Sequence, residues 1–377
     1  MSALQQSCSV PSSPRRNAGA DQSARLSLEI STIEDHAELV PVAAEERLQM
    51  PFCALSRLAR TDRTDLPKVL VVAPLSGHFS VLLRDLVLGL LPFCQVFITD
   101  WVNARHVPVD RGRFDLEANI FYVVEAMRAV GPDLHVIALC QGAVPALVAT
   151  AYQAESDAAS TPRSLILIAA PVDPAANPTR VSRLLRARPL SWYEHNVIGA
   201  VPAASAGKGR LVYPGSVQVL GLWAYLARHV SEGGELLFKL IADDGVDPVR
   251  FPFLNLYLSV MDLPAEVFLD IVHHVYQEHT LVKRKFWVGN GALSLRAIRA
   301  TALMTVEGER DDIAAPGQTG SALDLCSSVP GEAKRRLIVP ACGHFSLFHG
   351  RRWRTQVLPE VRAFIERFDQ PQRRFGA

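Results

Sequence analysis

Three things are scarce in this sequence of 377 residues: net charge, long apolar runs and paired cysteines. Lys+Arg number 39 against 38 Asp+Glu, leaving +1, so no overall field draws nucleic acid. No apolar run reaches the roughly 18 residues of a membrane span. Even GSVQVLGLWAYLARHV is interrupted by polar side chains. A soluble protein without a transmembrane segment is expected. The six cysteines, at positions 8, 53, 94, 140, 326 and 342, form no CxxC pair and no zinc-like spacing. They read as isolated thiols in a reducing compartment, and no metal is expected. The opening stretch MSALQQSCSVPSSPRRNAGADQSA lacks the apolar centre of a secretory signal. Its Ser, Pro and Gly content predicts a disordered polar tail over residues 1–30. A GxSxG box is also absent.

What is present is a rhythm. Apolar residues make up 49% of the chain, enough for a large core. KVLVVAPLSG reads as a strand entering a glycine turn, FSVLLRDLVLGLL as a helix, CQVFITDW as a second strand and DLEANIFYVVEAMRAV as an amphipathic helix. Strands follow at HVIAL, SLILIAAP, TALMTVEGE and RRLIVP, with helices at SALDLCSSV and WRTQVLPEVRAFIERF. This alternation predicts an α/β fold, a mostly parallel sheet with helices on both faces. It fills a domain over 31–377, interrupted at about 172–300 by helical and aromatic segments read as a lid covering one end of the sheet.

In HVIALCQGAVPALVATAYQ a buried strand stops on Cys140 and an apolar helix begins just beyond. Ala138, Cys140 and Gly142 place small residues around the corner, as the tight nucleophile turn of an α/β-hydrolase requires. A helix start also favours a thiolate through its unpaired N–H groups and dipole. Against this stands the bland reading of Cys140 as a buried small apolar residue. The rest of the chain decides between them. Asp311 lies three residues beyond Gly308 after one late strand, and His344 stands behind Gly343 after the last strand. Cys140, Asp311, His344 is the order nucleophile, acid, base of this fold class. Asp312 competes with Asp311 for the acid. Oxyanion donors are expected at the Gln141 backbone N–H and, because Pro74 has none, at Leu75 or Ser76. Aromatics of the interrupted region, Trp192, Tyr193, Trp223, Phe253 and Tyr257, offer a surface for an acyl chain, although most such residues simply pack.

The strings VLVVAPLSGHFSVLLRDLV, VFITDWVNARHVPVDRGRFDLE, VIALCQGAVPALVA, YLSVMDLPAEVFLDIVHHVYQEH, ALMTVEGERDDIAAPGQT and GHFSLFHGRRWR closely resemble the intracellular polyhydroxyalkanoate, or poly(3-hydroxybutyrate), depolymerases. The likeness runs from about residue 35 to 370. It implies an α/β-hydrolase with a cysteine nucleophile acting on stored polyester at the surface of cytoplasmic granules. It assigns Cys140 as nucleophile, Asp311 as acid and His344 as base. No cofactor is implied, although coenzyme A is a conceivable co-substrate. Two features depart from the family pattern. Gly142 stands where the family carries proline, bringing the box towards the GxCxG of the related polyester synthases. The family's apolar N-terminal region is replaced by the polar tail. The same box would serve a synthase or a small-lactone hydrolase, and an inert granule-bound protein is a third reading.

Overall fold

The computed structural model describes residues 28, 30–75, 83–220, 260–289 and 291–369. Its centre is a nine-stranded sheet. We number the strands β1 (Thr32–Asp35), β2 (Glu38–Met50), β3 (Cys53–Arg60), β4 (Lys68–Val72), β5 (Gln95–Trp101), β6 (Leu134–Leu139), β7 (Ser164–Ile168), β8 (Ala302–Gly308) and β9 (Lys334–Val339). They lie in the order β1-β2-β3-β5-β4-β6-β7-β8-β9. Pairing is antiparallel from β1 to β5 and parallel from β5 to β9. The inner strands β4, β6, β7 and β8 are almost wholly buried and their sequences are mostly apolar, as a sheet covered on both faces demands.

Helices α1 (Arg84–Leu90), α2 (Leu116–Val130) and α3 (Ala143–Ser156) follow β4, β5 and β6. Asp115 caps α2, its side chain accepting from Ala118 N at 2.9 Å. The helix buries Ile120, Val123, Val124 and Met127, and Gly131 ends it at φ +85°. Winding runs from β4 outward to β5, then back across β4 to β6. Right-handed crossovers therefore send α1 and α2 to opposite faces. The reversal falls between β4 and β6, whose C-terminal ends are the usual ligand position in such sheets.

Between β7 and β8 the described chain leaves the sheet. It forms α4 (Arg180–Arg186), α5 (Leu190–Asn196), a small antiparallel sheet of Gly199–Ala200, Leu211–Tyr213 and Leu263–Pro264, and then α6 (Ala265–Asp270), which continues as a π-helical turn over Ile271–Gln277. The expected tail falls almost entirely outside the described residues. One region differs from the sequence expectation: residues 32–60, given no element there, form β1 to β3. Exposed residues of β2 include Glu45, Glu46 and Arg47, and a strand this near the sheet's edge has little apolar periodicity to read. Among the described residues no helix is long and apolar enough to cross a membrane.

Candidate active site

The edge formed by the C-terminal ends of the parallel strands gathers the three residues singled out in the sequence. Cys140 follows β6, and its backbone turns through φ +49°, a left-handed conformation uncommon for a residue with a side chain. The turn Cys140–Gly142 leads directly into α3, so the thiol is held at the corner, partly accessible, above the first turn of a helix. Pro145 is the third residue of that helix, where its missing N–H costs nothing. Gly142 is required by close approach. A Cβ there would lie 2.7 Å from the Ala73 carbonyl oxygen and 3.0 Å from that of Val72, both backbone atoms of the chain leaving β4.

The partner strand is fixed just as firmly. Ala73 N–H donates to Thr99 Oγ1 at 2.9 Å, and Trp101 Nε1–H donates to the Ala73 carbonyl at 3.0 Å. These bonds press the loop after β4 against the corner. Leu75, one of the two expected oxyanion donors of that loop, is buried beside it, and Ser76 lies outside the described residues. Gln141 is half-buried, on the turn itself.

Asp311 and His344 come from the loops after β8 and β9. His344 Nδ1 lies 2.8 Å from Asp311 Oδ2, and both side chains are buried. The other carboxylate oxygen, Oδ1, accepts from the Ile313 and Ala314 N–H groups at 2.9 and 2.8 Å. The carboxylate is thus locked in rotation, and it is Asp311 rather than its neighbour Asp312 that meets the imidazole. The two loops are stitched together. Glu309 N–H donates to the Val339 carbonyl, Arg310 N–H to that of Cys342, and Ala341 N–H to the Glu309 carboxylate. Gly308 allows this, since a Cβ there would meet the Cys342 carbonyl at 2.5 Å. The acid loop is closed from behind by Glu307, fully buried, which accepts from the N–H groups of Gly317, Thr319 and Gly320 and from the Arg336 guanidinium.

The imidazole also lies within hydrogen-bonding reach of Cys140. Burial alone would pull His344 down, but the charge of Asp311, then that of Cys140, and hydrogen bonding to both outweigh it. His344 is held well above the ordinary histidine range. A thiol, an imidazole and a fixed carboxylate in this sequence of contacts can pass the thiol proton to the ring and leave a thiolate.

The aromatic residues proposed for the acyl chain separate into groups. Tyr193 is buried, donates its hydroxyl to the Leu184 carbonyl at 2.9 Å and packs on Trp192 and Phe268, contacts internal to the segment between β7 and β8. Trp192 is 37% exposed, with the Arg188 guanidinium over its ring. Trp223, Phe253 and Tyr257 lie outside the described residues. One neighbour of the site was missed in the sequence. Tyr276, on the π-turn, is buried, and its hydroxyl is within hydrogen-bonding reach of the Gln141 side chain. No spacing rule aims a residue of a distant helical stretch at a strand end, so nothing in the sequence marked it. Among the described residues no cluster of three or more His, Cys, Asp or Glu side chains is arranged to hold a metal ion.

Strand order, the left-handed corner after β6 and the paired loops after β8 and β9 define an α/β-hydrolase. The family model described as PHB de-polymerase C-terminus matches residues 169–369, more than half of the chain. The chain belongs to that family and is an ester hydrolase. The matched segment contains Asp311 and His344 and begins after Cys140. No curated protein matches the chain. Solved structures similar to it include a thermophilic esterase from Thermogutta terrifontis, with 14% identity, 90% of this chain and 98% of that one covered and a TM-score of 0.46. Others are a monoacylglycerol lipase from Paleococcus ferrophilus, at 12% identity, 80% and 93% coverage and 0.45, and a hydrolase from Pseudomonas aeruginosa PA01, at 13%, 83% and 94%, and 0.47.

Proposed function

We propose that the protein is a depolymerase that cleaves the ester bonds of stored poly(3-hydroxyalkanoate), with poly(3-hydroxybutyrate) as its substrate, at the surface of cytoplasmic granules. Cys140 is the nucleophile, His344 the base and Asp311 the group that orients and charges it. The thiol proton passes to His344 and the thiolate attacks the ester carbonyl. Backbone N–H groups at Gln141 and in the loop after β4 hold the oxyanion. As the tetrahedral species collapses, the ester C–O bond breaks and His344 returns its proton to the departing alkoxide of the polymer. A 3-hydroxyacyl thioester remains on Cys140. Water, deprotonated by His344, then releases a hydroxyacid or oligomer and restores the thiol. The thiol of coenzyme A would instead release an acyl-CoA by thioester exchange.

What carries the reading is the chain of contacts from Asp311 through His344 to Cys140, with Cys140 held at φ +49°. Family membership supports the polyester as substrate. The test is product release from amorphous poly(3-hydroxybutyrate) granules, with and without coenzyme A, by the wild type and by Cys140→Ala. Release by the wild type alone is expected, and a requirement for coenzyme A would identify thiolysis. Polymer growth from a hydroxyacyl-CoA would reassign the chain as a synthase. Equal release by both proteins would remove Cys140 from the mechanism, and none by either would remove this substrate.

A further inference from the structure

Several exposed arginines of this protein stand beside acids. Arg128 lies 2.6 Å from Glu125, Arg335 3.0 Å from Glu360 and Arg362 2.7 Å from Glu366. The segment after β7 differs. Arg180, Arg183, Arg186 and Arg188 are all exposed, and none of them forms an ion pair among the described residues. Glu194 is the only acid between residues 180 and 196, and it pairs with none of the four. Arg183 donates to the Pro178 carbonyl at 2.9 Å, and the Arg188 guanidinium lies 5.4 Å from the centre of the Trp192 ring. Apolar side chains stand among these charges. Leu184, on α4, is 65% exposed and Trp192, on α5, is 37% exposed. Helical spacing sets Leu184 beside Arg180 and Arg183.

The backbone beneath this surface is pinned. The Tyr193 hydroxyl donates to the Leu184 carbonyl at 2.9 Å, and the Gln277 amide donates to those of Leu185 and Arg188 at 3.2 and 2.9 Å. Thr179 caps α4, accepting from the Ser182 N–H at 3.1 Å, and its hydroxyl donates to the Ile313 carbonyl at 3.2 Å. Ile313 is also the residue whose N–H fixes Asp311, so α4 starts at the strand edge that carries the acid. A single exposed leucine or tryptophan is ordinary. Interleaved with four unneutralised arginines on a fixed scaffold, the two match an occupant that offers negative charge above an apolar layer.

We infer that α4, α5 and the turn between them form a docking surface for an anionic phospholipid layer. The guanidinium groups meet headgroup phosphates, which they can contact in pairs of hydrogen bonds. Leu184 and Trp192 enter the boundary with the acyl chains, where the apolar body and polar N–H of tryptophan are both accommodated. Charge complementarity selects this occupant. A nucleic acid would answer the arginines and offer Leu184 nothing, whereas a bare polyester surface would cover Leu184 and leave the arginines without counter-charges. Docking here goes beyond the substrate and the nucleophile proposed above, and it holds the edge bearing Asp311 close to the lipid.

The experiment sediments the full chain with vesicles of phosphatidylcholine alone or of phosphatidylcholine mixed with phosphatidylglycerol. Wild type should bind the mixed vesicles and leave the neutral ones. Arg183→Gln/Arg186→Gln should bind the mixed vesicles about 25-fold more weakly, at about fivefold per arginine. That deficit should shrink as salt is raised, because screening removes what the arginines contribute. Leu184→Ser should lose about tenfold, a loss that salt does not remove. Thermal melts establish that both variants fold, and the lipid dependence of the wild type needs no variant. Equal binding to neutral vesicles, binding to neither kind, or wild-type affinity in both folded variants would overturn the inference. So would tighter binding to duplex DNA or to bare amorphous polyester particles than to the mixed vesicles. No step of the test cleaves an ester, so its failure leaves the depolymerase reading as it stands.

Discussion

At the scale of single residues, the contacts of His344 make a pH-dependent prediction. Its folded-state value is raised by the charge of Asp311, so the pair stabilises the native state most where an unfolded histidine would still be protonated, below about pH 6.5. That contribution is lost as pH rises through the folded value of His344. Asp311→Asn should therefore be destabilised by about 1–3 kcal/mol near pH 6, and the gap to wild type should narrow towards alkaline pH. Urea unfolding at a series of pH values measures it. A gap that widens with pH would mean that the pair is not charged in the folded protein. The imidazole itself, followed by NMR, should titrate lower in Asp311→Asn than in wild type. Gly142 is a second case. The two carbonyl oxygens that a Cβ would strike belong to Val72 and Ala73, and the latter is already engaged by Trp101. Gly142→Ala should cost about 1–3 kcal/mol through overpacking and displace the thiol, so that ester hydrolysis falls with stability. Wild-type melting and activity in that variant would show that the turn can relax.

Elements carry the next level. The loop bearing Asp311 is long, and its far end is tied by Glu307 accepting from Gly317, Thr319, Gly320 and Arg336. Arg336→Met leaves a buried carboxylate with backbone partners only. It should cost about 1–3 kcal/mol and lower kcat by loosening the acid, measured by thermal melts together with ester turnover. Retention of wild-type kcat and stability would show that the backbone N–H groups suffice. How far such elements were legible follows from their physics. The inner strands from β4 onward are apolar runs separated by helices, and each was read close to its observed bounds. So were α2, with its Asp115 cap, and the helices after β6 and β9. The positions of Cys140, Asp311 and His344 could be read because strand ends are where this architecture presents side chains. β1 to β3 were not legible, since an edge hairpin half in solvent has a mixed pattern and the residues that stabilise it, such as Arg60 between Asp35 and Asp62, are distant or polar. Tyr276 was hidden for a related reason: a π-turn is a local departure from the period on which helix reading relies.

For the whole molecule, the last helix (Leu358–Asp369) returns to the middle of the sheet. His135, buried on β6, holds Ser164 of β7 at 2.8 Å and Asp369 at 3.4 Å. The hydrogen bond from His135 holds the Asp369 carboxyl below its ordinary range. A depressed carboxylate stabilises above its unfolded pKa, about 3.9, and its contribution disappears as pH falls through the folded value. Asp369→Asn should thus melt below wild type at neutral pH and converge with it in acid, as followed by circular dichroism. A difference that persists unchanged into acid would place the effect elsewhere than in ionisation. The same long reach bears on when the protein becomes competent. Cys140 sits in the first half of the chain, whereas His344 stands in the loop after the final described strand, beyond the entire excursion between β7 and β8. During synthesis the elbow emerges before the imidazole that, on the proposed mechanism, deprotonates its thiol. Only when β9 adds to β8 does the imidazole arrive. On the proposed mechanism, reactivity is therefore the last property this chain acquires, and a copy lacking β9 should carry a chemically quiet cysteine.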